Sequence, residues 1–181
     1  MRTRSSNPFL RAADGIDKGI SWLCQGILSL TGTVLMGALT ANVIARYVLS
    51  TGGFDWAEEV PEQLFPWFIM AGVGLAVQNG GHVAVEWLLG KIGRSATNAV
   101  LLLGHVLVFA TYVAVVVEAL KVADIVAIEK SPVMGLPKTY GYWAIAFGGV
   151  LVAISTVTAF VRLLLIGPEA RPVPAAAEAT S

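Results

Sequence analysis

Asp55-Trp56-Ala57-Glu58-Glu59 places three carboxylates directly ahead of an apolar run that Asn79-Gly80-Gly81-His82 closes. Adjacent acids at the mouth of an apolar segment could carry protons, because a charge is costly in hydrocarbon and must stay at the interface or find a partner. A structural reading competes with this. Asp55 and Glu58 have the spacing of a capping box, in which one carboxylate accepts a helix N–H and the other reaches back, and negative charge suits the positive end of a helix dipole. Glu59 is left without a role by that reading. Arg46 ends the preceding apolar stretch on the same side, so an ion pair from Arg46 to Glu58 or Glu59 would pin the first two helices together.

The two histidines, His82 and His105, lie near neighbouring apolar runs. Paired histidines on adjacent helices could ligate a haem, which gives a small electron-transfer protein as the contrasting hypothesis. The alternative places His82 at the interface, bonded near Asn79 or Glu86, and His105 on a hydroxyl or a backbone carbonyl. Glu118 and Lys121 are one turn apart and form an interfacial ion pair. Cys24 stands alone, so no disulfide or thiolate cluster forms within one chain. A homo-oligomeric exporter that uses Glu58 or Glu59 as a proton carrier is a third possibility. No nucleophile elbow, phosphate-cradling loop, zinc spacing or base-reading module occurs.

The elements that position these groups are helices in lipid. Hydrophobic residues make up 56% of the 181, and mean hydropathy is +0.73, too apolar for a water-soluble domain. Lys+Arg and Asp+Glu balance at 12 each, so no basic excess draws in nucleic acid. Four apolar segments, Ile20–Ala45, Leu64–Gln78, Thr97–Leu120 and Tyr140–Ile166, approach or exceed the roughly 20 residues that cross a bilayer core. Continuous apolar runs without polar alternation exclude barrel strands, so the fold is all-α, an integral membrane protein with four transmembrane helices.

Residues 1–19 read as a cytoplasmic arm, 20–166 as a four-helix membrane domain and 167–181 as a disordered tail rich in Pro and Ala. The first apolar run is too long for a cleaved signal and reads as an anchor. Eight Lys and Arg residues fall on the side of the termini and four on the other, which predicts both termini in the cytoplasm and the acidic cluster outside. His82–Gly93 either lies flat on the membrane surface as an amphipathic segment or continues the second helix into water. Small residues recur at Ser29, Thr33, Gly37 and Ala41, and again at Gly141, Gly149 and Ala153, marking faces where helix backbones approach closely; packing within the chain is the default expectation. Four uninterrupted helices without a midplane charge make a poor independent carrier and point to an accessory subunit.

Arg46-Tyr47, Trp56-Ala57-Glu58-Glu59, Trp67, Gly72 and Gly81-His82 followed by Glu86 together resemble the small membrane subunit of tripartite ATP-independent periplasmic (TRAP) transporters, the DctQ-like family. The specific part of the resemblance spans Arg46 to Glu86; Glu86 stands where the family pattern has Asp, and Pro61 follows the acidic pair. The resemblance implies a non-catalytic scaffold in the bacterial inner membrane. Its partners are a large membrane subunit that moves an organic acid with sodium ions and a periplasmic substrate-binding protein. It further implies that Arg46, Trp56, Glu58, Glu59 and His82 serve assembly. The same resemblance implies that the chain itself binds no cofactor and that the sodium site belongs to the large subunit.

Overall fold

The computed structural model describes residues 8–48, 52–79 and 93–167. The chain forms α1 (Pro8–Tyr47), α2 (Trp56–Asn79), α3 (Arg94–Ile125), a 3-10 turn (Val126–Ile128) and α4 (Thr139–Ile166), and no strand occurs among the described residues. All four helices are long and apolar enough to cross a membrane. The membrane-spanning reading thus holds, and the fourth span agrees with its expected bounds to one residue.

The first three helices overrun their expected spans. At about 1.5 Å per residue, the 40 residues of α1 extend roughly 60 Å, twice the thickness of a bilayer core. Its extra turns start at Pro8, whose ring is tolerated where a helix has no N–H to spare. Leu10 and Ala13 are buried there and continue the face of Ile20 and Cys24. Hydropathy alone stops at the charges Asp14, Asp17 and Lys18, whereas the helix runs through them.

The helices run up, down, up and down. α1 packs on α2, α2 on α4, and α4 on α3, with a smaller contact between α1 and α4. α1, α2 and α4 therefore form a triangle, to which α3 is attached through α4. The small core lies inside the triangle, where Ile20, Cys24 and Ala71 are joined by Ile27, Leu28, Leu75 and Leu151. Many large apolar side chains point outward instead, Leu103 at 71% and Met36 at 70% exposure among them. That distribution suits lipid, which rewards close backbone contact more than apolar burial.

Close contact is what the α4 glycines provide. A Cβ on Gly148 would stand 2.5 Å from the Met70 Cβ of α2, and one on Gly149 would stand 2.7 Å from Val116 Cγ2 of α3. Gly141 lies against Pro66 in the same manner. The expectation of packing within the chain therefore holds for α4. It fails for α1: Ser29, Thr33, Gly37 and Ala41 are all exposed, while Thr31 and Leu35 on the opposite face are buried. The helix turns its small-residue stripe outward because its contact with α2 runs through Cys24, Leu28 and Gly32.

Candidate assembly joint at the Glu59 end of the bundle

At the end of the bundle where α1 stops and α2 begins, two loops are tied down by side chains from helices. The first is the α1–α2 connection. Gly52 and Gly53 have φ of 86° and 91°, a region that side chains rarely enter, and they turn the chain back over α1. Asn42 Oδ1 then accepts the Phe54 N–H at 2.8 Å. A Cβ on Gly53 would stand 2.8 Å from that oxygen, so glycine is required by space as well as by conformation. Phe54 stacks on Trp56 with centroids 5.6 Å apart, at the entry to α2.

The second is the connection from α3 to α4. Lys130 and Pro137 pair in an antiparallel bridge. Within it the Ser131 N–H donates to the Leu136 carbonyl at 2.8 Å, the Leu136 N–H to Ser131 Oγ at 3.2 Å, and the Gly135 N–H to the Ser131 carbonyl at 3.1 Å. This turn leaves the N–H groups of Val133 and Met134 pointing away from the hairpin, and both end on Glu59. Val133 donates to Oε1 and Met134 to Oε2, each at 2.8 Å. Ser131, itself buried, adds a contact to the same carboxylate. Acceptance at both oxygens is the geometry of an ionised carboxylate, and bonds to a charged acceptor are stronger than neutral ones.

The sequence expectations at this joint are partly corrected. No ion pair joins Arg46 to Glu58 or Glu59 among the described residues; Arg46 is exposed in the last turn of α1, and Glu59 is 8% exposed and taken up by the hairpin. The capping box does not form either. The turn into α2 is made by backbone bonds, Ala57 N–H to the Phe54 carbonyl at 3.0 Å and Glu58 N–H to the Asp55 carbonyl at 3.3 Å, with no side-chain bond to Asp55 among the described residues. Asp55, Trp56 and Glu58 are exposed. Trp67 packs its ring on Phe147 of α4, with centroids 5.8 Å apart. Gly72 faces Leu28, where α2 crosses α1. His82 and Glu86 lie outside the described residues, as do the surface segment that begins at His82 and the C-terminal tail from residue 168.

Elsewhere the expectations meet their partners. Lys121 Nζ lies 2.7 Å from Glu118 Oε1, and both groups are well exposed. His105 Nδ1 is 2.7 Å from the Leu101 carbonyl of its own helix, the backbone option foreseen for it. Nothing in this arrangement favours haem ligation. No group of three or more His, Cys, Asp or Glu side chains is placed to hold a metal ion among the described residues.

A second joint, at the opposite end, has no counterpart in the sequence reading. Arg162 of α4 reaches two acids of α1, with Nη2 at 2.9 Å from Asp14 Oδ1 and against Asp17 Oδ2. Thr158 Oγ1 donates to Asp17 Oδ1 at 2.7 Å, and Gln78 Nε2 of α2 donates to the Asp17 carbonyl at 3.1 Å and to Ser155 Oγ at 3.2 Å. All three helices of the triangle thus meet on Asp17. The available signal is Asp14 and Asp17, three apart on one helical face; Arg162 reads in the sequence only as a basic residue of the C-terminal end.

Neither joint presents a reaction centre. The space enclosed between α1, α2 and α4 is about 10 Å³, bounded by Cys24, Trp67, Met70 and Phe147 among others, which is at the lower limit for a single water. The buried carboxylates of the two joints, Glu59 and Asp17, are engaged in holding loops and helices. Such a molecule is a multi-pass membrane protein built to keep four helices in fixed relation. Residues 35–165 match the family described as "Tripartite ATP-independent periplasmic transporters, DctQ component". The chain belongs to that family, whose members are transporter subunits rather than enzymes.

Two relatives carry the comparison further. A Haemophilus influenzae protein named a putative TRAP transporter small permease protein is 24% identical over 149 residues, which cover 82% of this chain and 89% of the relative. A Sinorhizobium fredii protein, "Uncharacterized protein y4mM", is 41% identical over 150 residues, 83% of this chain. The chain spans only 28% of the length of that second relative.

Proposed function

We propose that this chain is the small scaffolding subunit of a sodium-coupled, binding-protein-dependent TRAP transporter for an organic acid in the bacterial inner membrane. Both termini face the cytoplasm, so the Glu59 joint lies on the periplasmic side. The large membrane subunit carries the substrate and sodium sites, and a periplasmic binding protein delivers the substrate. This chain binds no cofactor of its own. The observation that carries the reading is the stripe Ser29, Thr33, Gly37 and Ala41, which α1 presents outward and leaves unused among the described residues. A row of small residues lets another helix backbone approach closely, the main means of association in lipid. A homologous segment that makes up 28% of the Sinorhizobium fredii relative is consistent with a unit that works beside further polypeptide.

Co-expression with a large permease encoded beside it is the test. The two should purify together, and vesicles holding both should take up an organic acid on addition of the binding protein and an inward sodium gradient. Transport by this chain alone would sink the proposal. Uptake driven by protons and indifferent to sodium would remove the sodium assignment and leave the scaffold role.

A further inference from the structure

The four apolar stretches do not lie side by side. Contacts fix the register of each helix against α4: Gly148 lies on Met70 and Gln78 on Ser155, Gly32 on Phe68 and Gly74 on Cys24, and Gly149 on Val116. The hairpin holds the same α3–α4 register, with the Lys138 N–H on the Glu129 carbonyl. Through these contacts the midpoint of Ile20–Ala45 in α1 stands level with residues 143–146 of α4, and the midpoint of Leu64–Gln78 in α2 with residue 149. The midpoint of the α4 stretch itself is Ala153, and that of Thr97–Leu120 in α3 stands level with residues 156–158. From α1 to α3 the stagger is about twelve residues, roughly 18 Å along the bundle. Because α3 reaches the triangle through α4, at most two interaxial distances, about 20 Å, separate it from α1. A flat bilayer meets all four stretches only if the bundle leans along that line by about 40°, the upper end of the range for membrane helices. We infer that the bundle sits obliquely in the membrane, the bilayer crossing α1 nearer the Glu59 joint and α3 nearer the Asp17 joint.

Charged side chains give the same direction independently. The Glu118–Lys121 pair of α3, 66% and 62% exposed, stands level with residues 144–149 of α4 and so with the middle of the α1 stretch. Asp14 of α1, bonded to Arg162, stands level with His105, inside the α3 stretch. An upright bundle would bring both sets of charges into hydrocarbon, a costly place for a solvent-facing ion, and would hold the exposed Leu39, Val43 and Ile44 of α1 in water. The lean reverses both faults. It carries Glu118 and Lys121 to the headgroups at the Glu59 end, Asp14 to those at the Asp17 end, and the three apolar side chains into lipid. Helix length agrees, since a helix leaning by about 40° takes roughly 26 residues to cross a core of about 30 Å. α1, α3 and α4 have 40, 32 and 28, and α2 has 24 among the described residues.

The test is nitroxide depth measurement on the full chain in vesicles of phosphatidylethanolamine and phosphatidylglycerol. Cys24 is fully buried and escapes the label, so Leu30→Cys, Leu120→Cys, Ala12→Cys and Leu103→Cys, all at exposed positions, report singly. Leu30 and Leu120 share one level of the bundle, as do Ala12 and Leu103. Collisions with oxygen, which concentrates in the core, and with a water-soluble nickel chelate give each depth. An oblique bundle places Leu30 and Leu103 in the oxygen-rich core and leaves Leu120 and Ala12 open to nickel, the members of each pair differing in depth by about 10 Å. Equal depths within the pairs, or a difference of the opposite sign, would overturn the inference. A Leu30 label screened from both reagents would do so too, because protein rather than lipid would then cover α1. Polarised infrared dichroism of the unsubstituted chain in aligned bilayers checks the angle without any variant. A mean helix tilt of about 40° is expected, and the ordinary value of about 20° would contradict it.

Discussion

Glu59 and Met134 lie 75 positions apart, yet the Met134 N–H donates to Glu59 Oε2 at 2.8 Å, beside the Val133 N–H on Oε1. One side chain of α2 thus holds the connection between α3 and α4 in place. Glu59→Gln keeps the shape but replaces one acceptor by an NH2 that faces a backbone N–H, leaving a buried donor unsatisfied. The unfolding midpoint of the purified chain in detergent should fall by several degrees. Glu58→Gln, on an exposed neighbour, should leave it unchanged. Equal effects at the two positions would mean that the hairpin is not held by Glu59.

At the other joint, loss of Arg162 and loss of Asp14 should differ. Asp14 is 63% exposed, so Asp14→Ala should cost at most about 1 kcal/mol. Arg162→Ala strips the counter-charge from Asp17, whose side chain is 17% exposed. Its cost should lie between that of an exposed pair and the about 3–5 kcal/mol of a buried one, because Arg162 itself keeps 24% exposure. Denaturant titration of the three proteins would check the order, and Arg162→Ala no worse than Asp14→Ala would contradict it.

Arg46 offers a separation of fold from assembly. It makes no ion pair among the described residues, so Arg46→Glu should change the stability of the isolated chain by no more than about 0.5 kcal/mol. If the same change lowers recovery of the transporter complex in a pull-down, the residue acts on a partner. A large loss of stability in the isolated chain would show an internal role instead.

The glycines of α4 and α1 should behave in opposite ways. Gly148→Ala forces a methyl against Met70 and should destabilise the chain by about 1–3 kcal/mol, the usual range for overpacking. A methyl on Gly37 would meet no neighbour within 4 Å, so even Gly37→Leu should leave the isolated chain folded. In the complex, that leucine should block the approach of a partner helix and reduce co-purification. Normal co-purification would place the partner on another face.

Four spans were legible because membrane helices announce themselves by length and hydropathy, and the last was legible almost to the residue. The joints were not, for a physical reason. Glu59 is held by backbone N–H groups of Val133 and Met134, and a backbone donor leaves no mark in residue type. The Asp55–Glu58 spacing resembles a cap because four residues suffice to write that pattern, whereas the actual turn is closed by main-chain bonds. The opposite joint did leave a mark in Asp14, Asp17 and Arg162, but recognising it requires knowing that α1 begins at Pro8 and passes α4. The direction of the α1 stripe depends on which face α2 occupies, a choice that no single helix encodes.

The Asp17 contacts also set an order of events during synthesis. Thr158 lies 141 residues downstream of Asp17, and Arg162 follows it by one turn. The first helix is therefore synthesised long before its counter-charge exists. α3 and α4, joined by a tight hairpin and broad contact, can insert as a unit and bring that charge with them. The triangle therefore cannot close before α4 has been made, and a chain truncated short of α4 leaves the Asp17 carboxylate without its arginine.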